Sequence, residues 1–222
     1  MEELLYSIQD IVNTRALYNN TSSVYSILKR ISDIFISLTA MILFLPLLII
    51  IAVIIRIDSR GPVIFAQERN GFKGRIFRMY KFRSMVTIAE DMLKDLQHEN
   101  EAGSCMFKIK CDPRITRIGR IIRKTSMDEL PQLVNVLKGE MSIVGPRPPI
   151  MREVFMYDAW HKLRLSVKPG MTGLWQISGR SKVGFEEMVR LDLKYIRERS
   201  LIYDLKIILR TIPVLFGDEK AL

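Results

Sequence analysis

Cysteine and histidine are scarce, with two of each in 222 residues. Cys105 and Cys111 stand six apart, and neither they nor His98 and His161 fall into a zinc-ligand spacing. Both cysteines read as free thiols in a reducing compartment. No glycine-rich phosphate loop of the P-loop or dinucleotide kind occurs, and no Ser-His-Asp set is evident. Internal repeats and low-complexity segments are missing as well. Acidic residues are the minority charge, 24 Asp and Glu against 34 Lys and Arg, for a net charge of +10. A pI near 9.7 implies an anionic partner: nucleic acid, an anionic membrane surface, or a phosphorylated small substrate.

Charge is absent altogether from Ile34–Ile55, a run of 22 residues. About 20 apolar residues cross a hydrocarbon core of roughly 30 Å. Hydrophobic residues make up 48% of the whole chain, an ordinary share, so a polytopic membrane protein is excluded. The run begins after residue 30 and lacks a small-residue cleavage site, which speaks against a signal peptide. The bland alternative is the core helix of a soluble protein.

Pro46 lies near the middle of the run and is expected to kink or break the helix, because it lacks a donor and clashes with the carbonyl of Ile42. The 12 residues Ile34–Leu45 rise roughly 18 Å, just past mid-bilayer. Lys29 and Arg30 precede the run, and Arg56 and Arg60 follow it. Positive charge marks the cytoplasmic side, and here it marks both ends. The residues therefore favour a re-entrant hairpin over a kinked span and leave both open.

Residues 1–28 are mixed, with a polar break at Tyr18–Ser23. Beyond the run, Gly61-Pro62 turns the chain. Val63–Gln67 and Ile76–Phe82 predict two strands of a hairpin around Asn70–Gly74. Ala89–Glu101 predicts a polar helix. Leu130, Leu133, Val134 and Leu137 follow helical spacing up to a stop at Gly139. Ser142–Pro149, with three prolines, predicts a stiff loop, and Lys168–Arg180, with three glycines around Trp175, a second one. Phe185–Arg199 predicts a charged helix. Leu201–Phe216 is apolar but carries Asp204, Lys206 and Arg210, which suits either a helix lying flat on a membrane interface or one packed on the core.

Asp128-Glu129 is the leading candidate for chemistry. The local reading is a helix cap: Ser126-Met127-Asp128-Glu129 fits a capping box, and Asp128 could itself cap. The chemical reading is compatible with it. A carboxylate at a helix N-terminus beside Arg123 and Lys124 is expected to stay ionised, able to attack phosphorus. Adjacent carboxylates also suit Mg²⁺. Arg114, Arg117, Arg120 and Arg123 recur every third residue and predict either a solvated face or a phosphate-binding stripe leading to Asp128. No aromatic-interleaved basic surface or helix-turn-helix pattern accompanies them, which sets nucleic acid aside. Arg147, between Pro146 and Pro148, is pre-organised for an anion. Lys81-Phe82-Arg83 could face phosphates or lipid headgroups, or serve only as sheet-edge charge.

In order along the chain, these stretches resemble one family, the monotopic bacterial sugar transferases. These are polyprenyl-phosphate phosphoglycosyl transferases that start exopolysaccharide, O-antigen or glycan assembly. The matching motifs are Lys29-Arg30 with Asp33; the apolar run with Pro46; Gly61-Pro62-Val63-Ile64-Phe65 with Gln67, Arg69 and Gly71; Tyr80-Lys81-Phe82-Arg83-Ser84-Met85; Asp112-Pro113-Arg114-Ile115-Thr116-Arg117; Arg123 to Leu133; Gly145-Pro146-Arg147-Pro148; and Lys168 to Gln176. Each is weak alone, and the ordered set, covering residues 29 to about 216, is specific. Leu45 departs from the serine that members often place before the proline.

The resemblance implies a helix-dominated α+β fold: an N-terminal segment over residues 1–30, a re-entrant membrane helix over 31–58 broken at Pro46, and a cytoplasmic catalytic domain over 59–222 with a small β-hairpin and amphipathic interfacial helices. It implies a place on the cytoplasmic face of the bacterial inner membrane, and a short form of the family. Asp128 is then expected to attack the β-phosphate of a UDP-sugar, release UMP, and pass the phospho-sugar to a polyprenyl phosphate (undecaprenyl phosphate). Mg²⁺ would be held at Asp128 and Glu129, with Arg123 and Arg147 on phosphate or nucleotide. Lys81, Arg83 and Arg117 complete the candidate binding set. The sugar, the polyprenyl length and the oligomeric state stay open, a dimer being one outcome. The competing expectation is a non-catalytic basic scaffold binding anionic lipid or a protein partner.

Overall fold

The computed structural model describes residues 23–96, 98, 109, 112–179 and 183–215. Cys105, Cys111 and the N-terminal residues 1–22 lie outside that set, as do residues 99–101 at the end of the predicted polar helix. Arg180 and Phe216, where two further predicted segments end, also lie outside it. The fold is helix-dominated α+β, as expected, with two small two-stranded sheets.

Helix α1, Ser23–Asp58, is 36 residues long and contains the apolar run. Helical backbone continues through Pro46, so the proline does not end the helix as expected. Proline costs one intrahelical hydrogen bond, which the helix absorbs where neighbouring turns stay paired. One stripe of α1 is covered: Asp33, Ser37, Ile51 and Ile55 are buried, with Ile36, Ala40, Met41, Leu47, Leu48 and Ala52 packed at their sides. The other stripe is bare, and Phe35, Ile42 and Leu43 are each about 70% exposed. A soluble core helix would not leave that face open.

Both ends of α1 are tied to the same domain. At its start, Arg30 donates to the carbonyls of Val136 (2.6 Å) and Leu137 (2.8 Å), and Asp33 accepts from Ser142 Oγ and Ile143 N, each at 3.0 Å. At its end, Ile51 and Ile55 pack on Phe82 and Ile122.

Strands β1 (Ile64–Asn70) and β2 (Ile76–Phe82) form the predicted antiparallel hairpin, in register from Ile64↔Phe82 to Asn70↔Ile76. The first strand runs three residues further than the alternation suggested. Helix α2 (Asp91–Asp95) is a short piece of the predicted polar helix, and α3 (Arg117–Lys124) begins where Thr116 Oγ1 accepts from Gly119 N at 2.9 Å. Helix α4 (Gln132–Lys138) stops at Gly139 in the left-handed region, as expected.

The two segments expected as loops are partly ordered into a sheet. Strand β3 (Ser142–Val144) pairs in parallel with β4 (Gly170–Thr172). Prolines 146, 148 and 149 fall beyond β3 and leave its three residues free to pair. The approach is close: a Cβ on Gly170 would lie 2.0 Å from the amide nitrogen of Gly145. Short helices α5 (Met151–Phe155) and α6 (Leu174–Ile177) follow the two strands.

Helix α7 (Phe185–Glu198) matches the predicted charged helix, and α8 (Leu201–Leu215) divides its faces. Asp204 and Ile207 point inward, while Ile202, Leu205, Leu209 and Ile212 are exposed along one side. Helix α8 therefore packs on the core, one of the two alternatives read from its sequence, and leaves an apolar stripe exposed on its other side. Met141, Val136, Val144, Leu133, Tyr195 and Ile207 form the centre of the main core.

Candidate active site

The dyad Asp128-Glu129 sits in the short connection between α3 and α4. Ser126 adopts φ 54° and ψ 17°, in the left-handed region, and Met127–Glu129 then forms a single 3-10 turn. An N-cap needs an extended backbone to aim its side chain at the following amides. Ser126 has the opposite conformation and makes no cap bond, so the capping box is not formed. Glu129 instead accepts from Lys81 Nζ at 2.7 Å, from the far end of the hairpin. The hairpin is fixed against α4 by Asn135. This wholly buried side chain accepts from Tyr80 N (3.0 Å) and donates to Arg78 O (2.7 Å). That clamp sets Lys81 opposite Glu129.

Asp128 is 8% exposed and accepts no hydrogen bond from another side chain among the described residues. Burial pushes its carboxyl up to about 6, against the pull of Lys81 and Arg123 and with a further push from Glu129. The sequence suggested an Asp held firmly ionised; burial outweighs the cations instead. Burial also works to raise Glu129, but Lys81, Arg147 and Arg69 prevail and hold it below the ordinary carboxylate value. Two adjacent carboxyls are thus driven apart in acidity, an arrangement typical of acid–base and nucleophilic sites.

Arg147 leaves the loop after β3 and donates to both oxygens of buried Glu153 on α5, at 3.0 and 3.2 Å. Its own carbonyl accepts from Arg164 Nη2 at 3.2 Å. Arg69 on β1 donates to Pro148 O (2.9 Å) and Gln67 Oε1 (2.6 Å), leaving a buried Nε without a partner. Burial, and then the neighbouring Arg147, lower its guanidinium to about 9. Asp128, Glu129, Lys81, Arg123 and Arg147 are thus brought together.

Two predicted residues stand apart. Arg83 is buried, and its guanidinium donates to Pro62 O, Ser59 O (2.6 Å), Ser59 Oγ (2.9 Å) and Ile55 O (3.3 Å). Those bonds brace the exit of α1 and occupy both terminal nitrogens, leaving only the buried Nε unpaired. Arg117 is exposed at the first turn of α3, two turns before Arg123. The arginine stripe is also divided: Arg114 is buried in a two-bond pair with Asp112 (2.9 and 2.6 Å), whereas Arg117, Arg120 and Arg123 face out. Sequence reasoning gave no role to Glu153 and quoted Arg69 only within a motif. Nothing in the alternation of β1 marks Arg69, since Phe65 and Gln67 on the same side are exposed or half-buried.

Among the described residues, no group of three or more His, Cys, Asp and Glu could cage a metal. The pair at hand fits a narrower demand. Mg²⁺ takes one or two carboxylates and fills its octahedron with water and substrate phosphate. Glu129 has one oxygen on Lys81, and Asp128 accepts no side-chain hydrogen bond among the described residues. The donor set therefore fits Mg²⁺ arriving with a phosphorylated substrate.

A buried Asp128 beside a half-buried Glu129, near Lys81 and two arginines, stands on a domain that also carries one helix long and apolar enough to cross a membrane. Residues 24–218 match the model of the bacterial sugar transferase family, and the chain belongs to that family. It is 52% identical over 195 residues (86% of this chain, 43% of the relative) to the galactosyl transferase CpsE of Streptococcus agalactiae. It is 39% identical over 189 residues (83% of this chain, 84% of the relative) to the exopolysaccharide production protein ExoY of Rhizobium meliloti. It is 40% identical over 208 residues (90% of this chain, 42% of the relative) to the UDP-glucose:undecaprenyl-phosphate glucose-1-phosphate transferase of Escherichia coli. The chain spans less than half the length of the first and third of these.

Proposed function

We propose that this protein transfers a phospho-sugar from a UDP-sugar to a polyprenyl phosphate through a covalent aspartyl intermediate. The observation that carries the reading is Asp128: buried, without a side-chain hydrogen-bond partner among the described residues, and near Glu129, Lys81 and Arg123. The name of the Escherichia coli relative, which pairs UDP-glucose with undecaprenyl phosphate, points to the same donor and acceptor classes.

In the first step an Asp128 oxygen attacks the β-phosphorus. The bond from that phosphorus to the bridging oxygen breaks, and the electron pair leaves with UMP. In the second, an oxygen of the polyprenyl phosphate attacks the same phosphorus and displaces the carboxylate, giving polyprenyl diphosphate-sugar. Arg123 and Arg147 neutralise phosphate oxygens as charge shifts to the leaving group. Lys81 keeps Glu129 ionised, and Glu129 with Asp128 would hold Mg²⁺. The ion supplies charge neutralisation on the diphosphate when bound.

The attachment of α1 supports a re-entrant placement on the cytoplasmic face. Its two ends bind one domain, through Arg30 and Asp33 at the start and Ile51 and Ile55 at the end. Helix α1 stays helical through Pro46, so a bend at the proline, rather than a break, would let it dip into the bilayer and return both ends to one domain. The scaffold reading needed the dyad as a helix cap, and Ser126 and Glu129 make other arrangements.

Incubation with UDP-sugar alone is expected to release UMP and add a phospho-sugar mass to the peptide containing Asp128. Release of UMP only when polyprenyl phosphate is also present would refute the covalent route.

A further inference from the structure

A cavity of about 320 Å³ lies between the start of α1, strand β3 and the segment before β4. It shares no lining residue with the candidate active site. Lys29, Arg30, Lys168 and Arg199 line it, against one lining carboxylate, Asp33. Most of these charges are already engaged. Lys29 binds Asp204 at 2.8 Å, Arg30 holds two carbonyls of α4, and Arg199 lies over the Tyr25 ring at 6.0 Å. Asp33 uses one oxygen on Ser142 and Ile143.

Lys168 is different. It is half-buried and has no hydrogen bond or ion pair among the described residues. Its Nζ and Arg30 Nη2 would each lie 3.5 Å from a Cβ on Gly139, so the two cations converge on one spot. Burial and then Arg30 lower the lysine's proton affinity, with Asp33 opposing them. Capping the end of α4 does not account for Lys168, because Arg30 already satisfies the carbonyls of Val136 and Leu137. Ser166 Oγ, another lining group, is buried and unpartnered. A half-buried, uncompensated ammonium at a cavity wall is a group that an anion would relieve.

The level of the cavity indicates which anion. The run without charge, Ile34–Ile55, begins four residues after Arg30, roughly 6 Å of helix rise. Headgroup phosphates lie at that boundary. We propose that this cavity is a second anion site, occupied by the phosphate group of an anionic membrane lipid held by Lys168, with Arg30 and Lys29 beside it. The inference does not depend on the transferase reading.

The test uses the full chain in nanodiscs, read by thermal unfolding. Three conditions are compared: phosphatidylcholine alone, the same with phosphatidylglycerol, and phosphatidylcholine with millimolar inorganic phosphate. The wild type is expected to melt higher with phosphatidylglycerol and to be unmoved by inorganic phosphate. Lys168→Gln should lose most of the gain, with about tenfold weaker lipid retention in native mass spectrometry. Lys168→Arg should keep the gain, which separates the lost charge from a folding defect. Lys194→Gln removes an exposed charge on α7 and should also keep it. UMP release from UDP-sugar by Lys168→Gln should stay at the wild-type rate in every condition. An equal gain in wild type and Lys168→Gln, or an equal loss in Lys194→Gln, overturns the site. Full protection by inorganic phosphate overturns the lipid as its occupant.

Discussion

Replacing Asp128 by asparagine should abolish transfer and, above pH 6, make the protein more stable. Burial lifts the Asp128 carboxyl from 3.8 to about 6 in the folded chain. A raised acid favours its protonated form in the fold. Its contribution is fully favourable below the unfolded value and is lost as pH rises through the folded one. The shift corresponds to about 3 kcal/mol of destabilisation above pH 6, because one unit is about 1.4 kcal/mol. The group is nearly buried, so solvent screening takes little from that figure. The asparagine side chain keeps the shape and carries no charge. For a chain of this length the relief amounts to roughly 8 °C in melting temperature. The assay is thermal unfolding of wild type and Asp128→Asn in one detergent from pH 4 to 8. The two should coincide near pH 4 and separate progressively up to about pH 7. The kcat/KM of wild-type UMP release should rise through the same midpoint near 6, since that ratio reports the free enzyme. A variant less stable than wild type by about 1 kcal/mol at every pH, as for a lost helix cap, would refute the reasoning.

Lys81→Met removes a cation that lowers both carboxyls, so the pH midpoint for UMP release should move above 6; an unchanged midpoint would separate Lys81 from the dyad. Glu153→Gln loosens the two-bond hold on Arg147 and should raise the KM for UDP-sugar more than it lowers kcat, in steady-state assays. Arg164→Met leaves Asp192 buried and unpaired, which should cost about 3–5 kcal/mol, read by denaturant unfolding. The double variant Arg164→Met, Asp192→Leu should recover most of that loss. Gly170→Ala drives a methyl into the Gly145 amide and should prevent folding of the β3–β4 pair, seen as lost solubility of the expressed protein.

Local patterns carried a good part of this fold. The uncharged run, the turn residues at Asn70–Gly74 and the spacing from Leu130 to Leu137 each declare an element without reference to the rest of the chain. So did the dyad, and Arg147 between its prolines. What stayed hidden depends on partners distant in sequence. Ser142–Val144 and Gly170–Thr172 are 28 residues apart in register, and each alone reads as a loop. Arg83 and Arg114 resemble solvent-facing charges until Ser59, Pro62 and Asp112 are seen to take their donors. The Ser126 capping signal failed because sequence spacing says nothing about the left-handed turn that redirects the side chain. Asp128 was misjudged in acidity for a similar reason: charges are visible in a sequence and burial is not.

The attachment of α1 also bears on how this protein could be handled and how it could have changed. Cutting the chain after Asp58 to obtain a water-soluble fragment would remove the acceptor for Ser142 and Ile143 and strip the cover from Phe82 and Ile122. The fragment would lose part of its own interior with its anchor. The helix is part of the folded interior rather than a tag on a finished domain, so cleavage at its end would unmake the domain instead of setting it free.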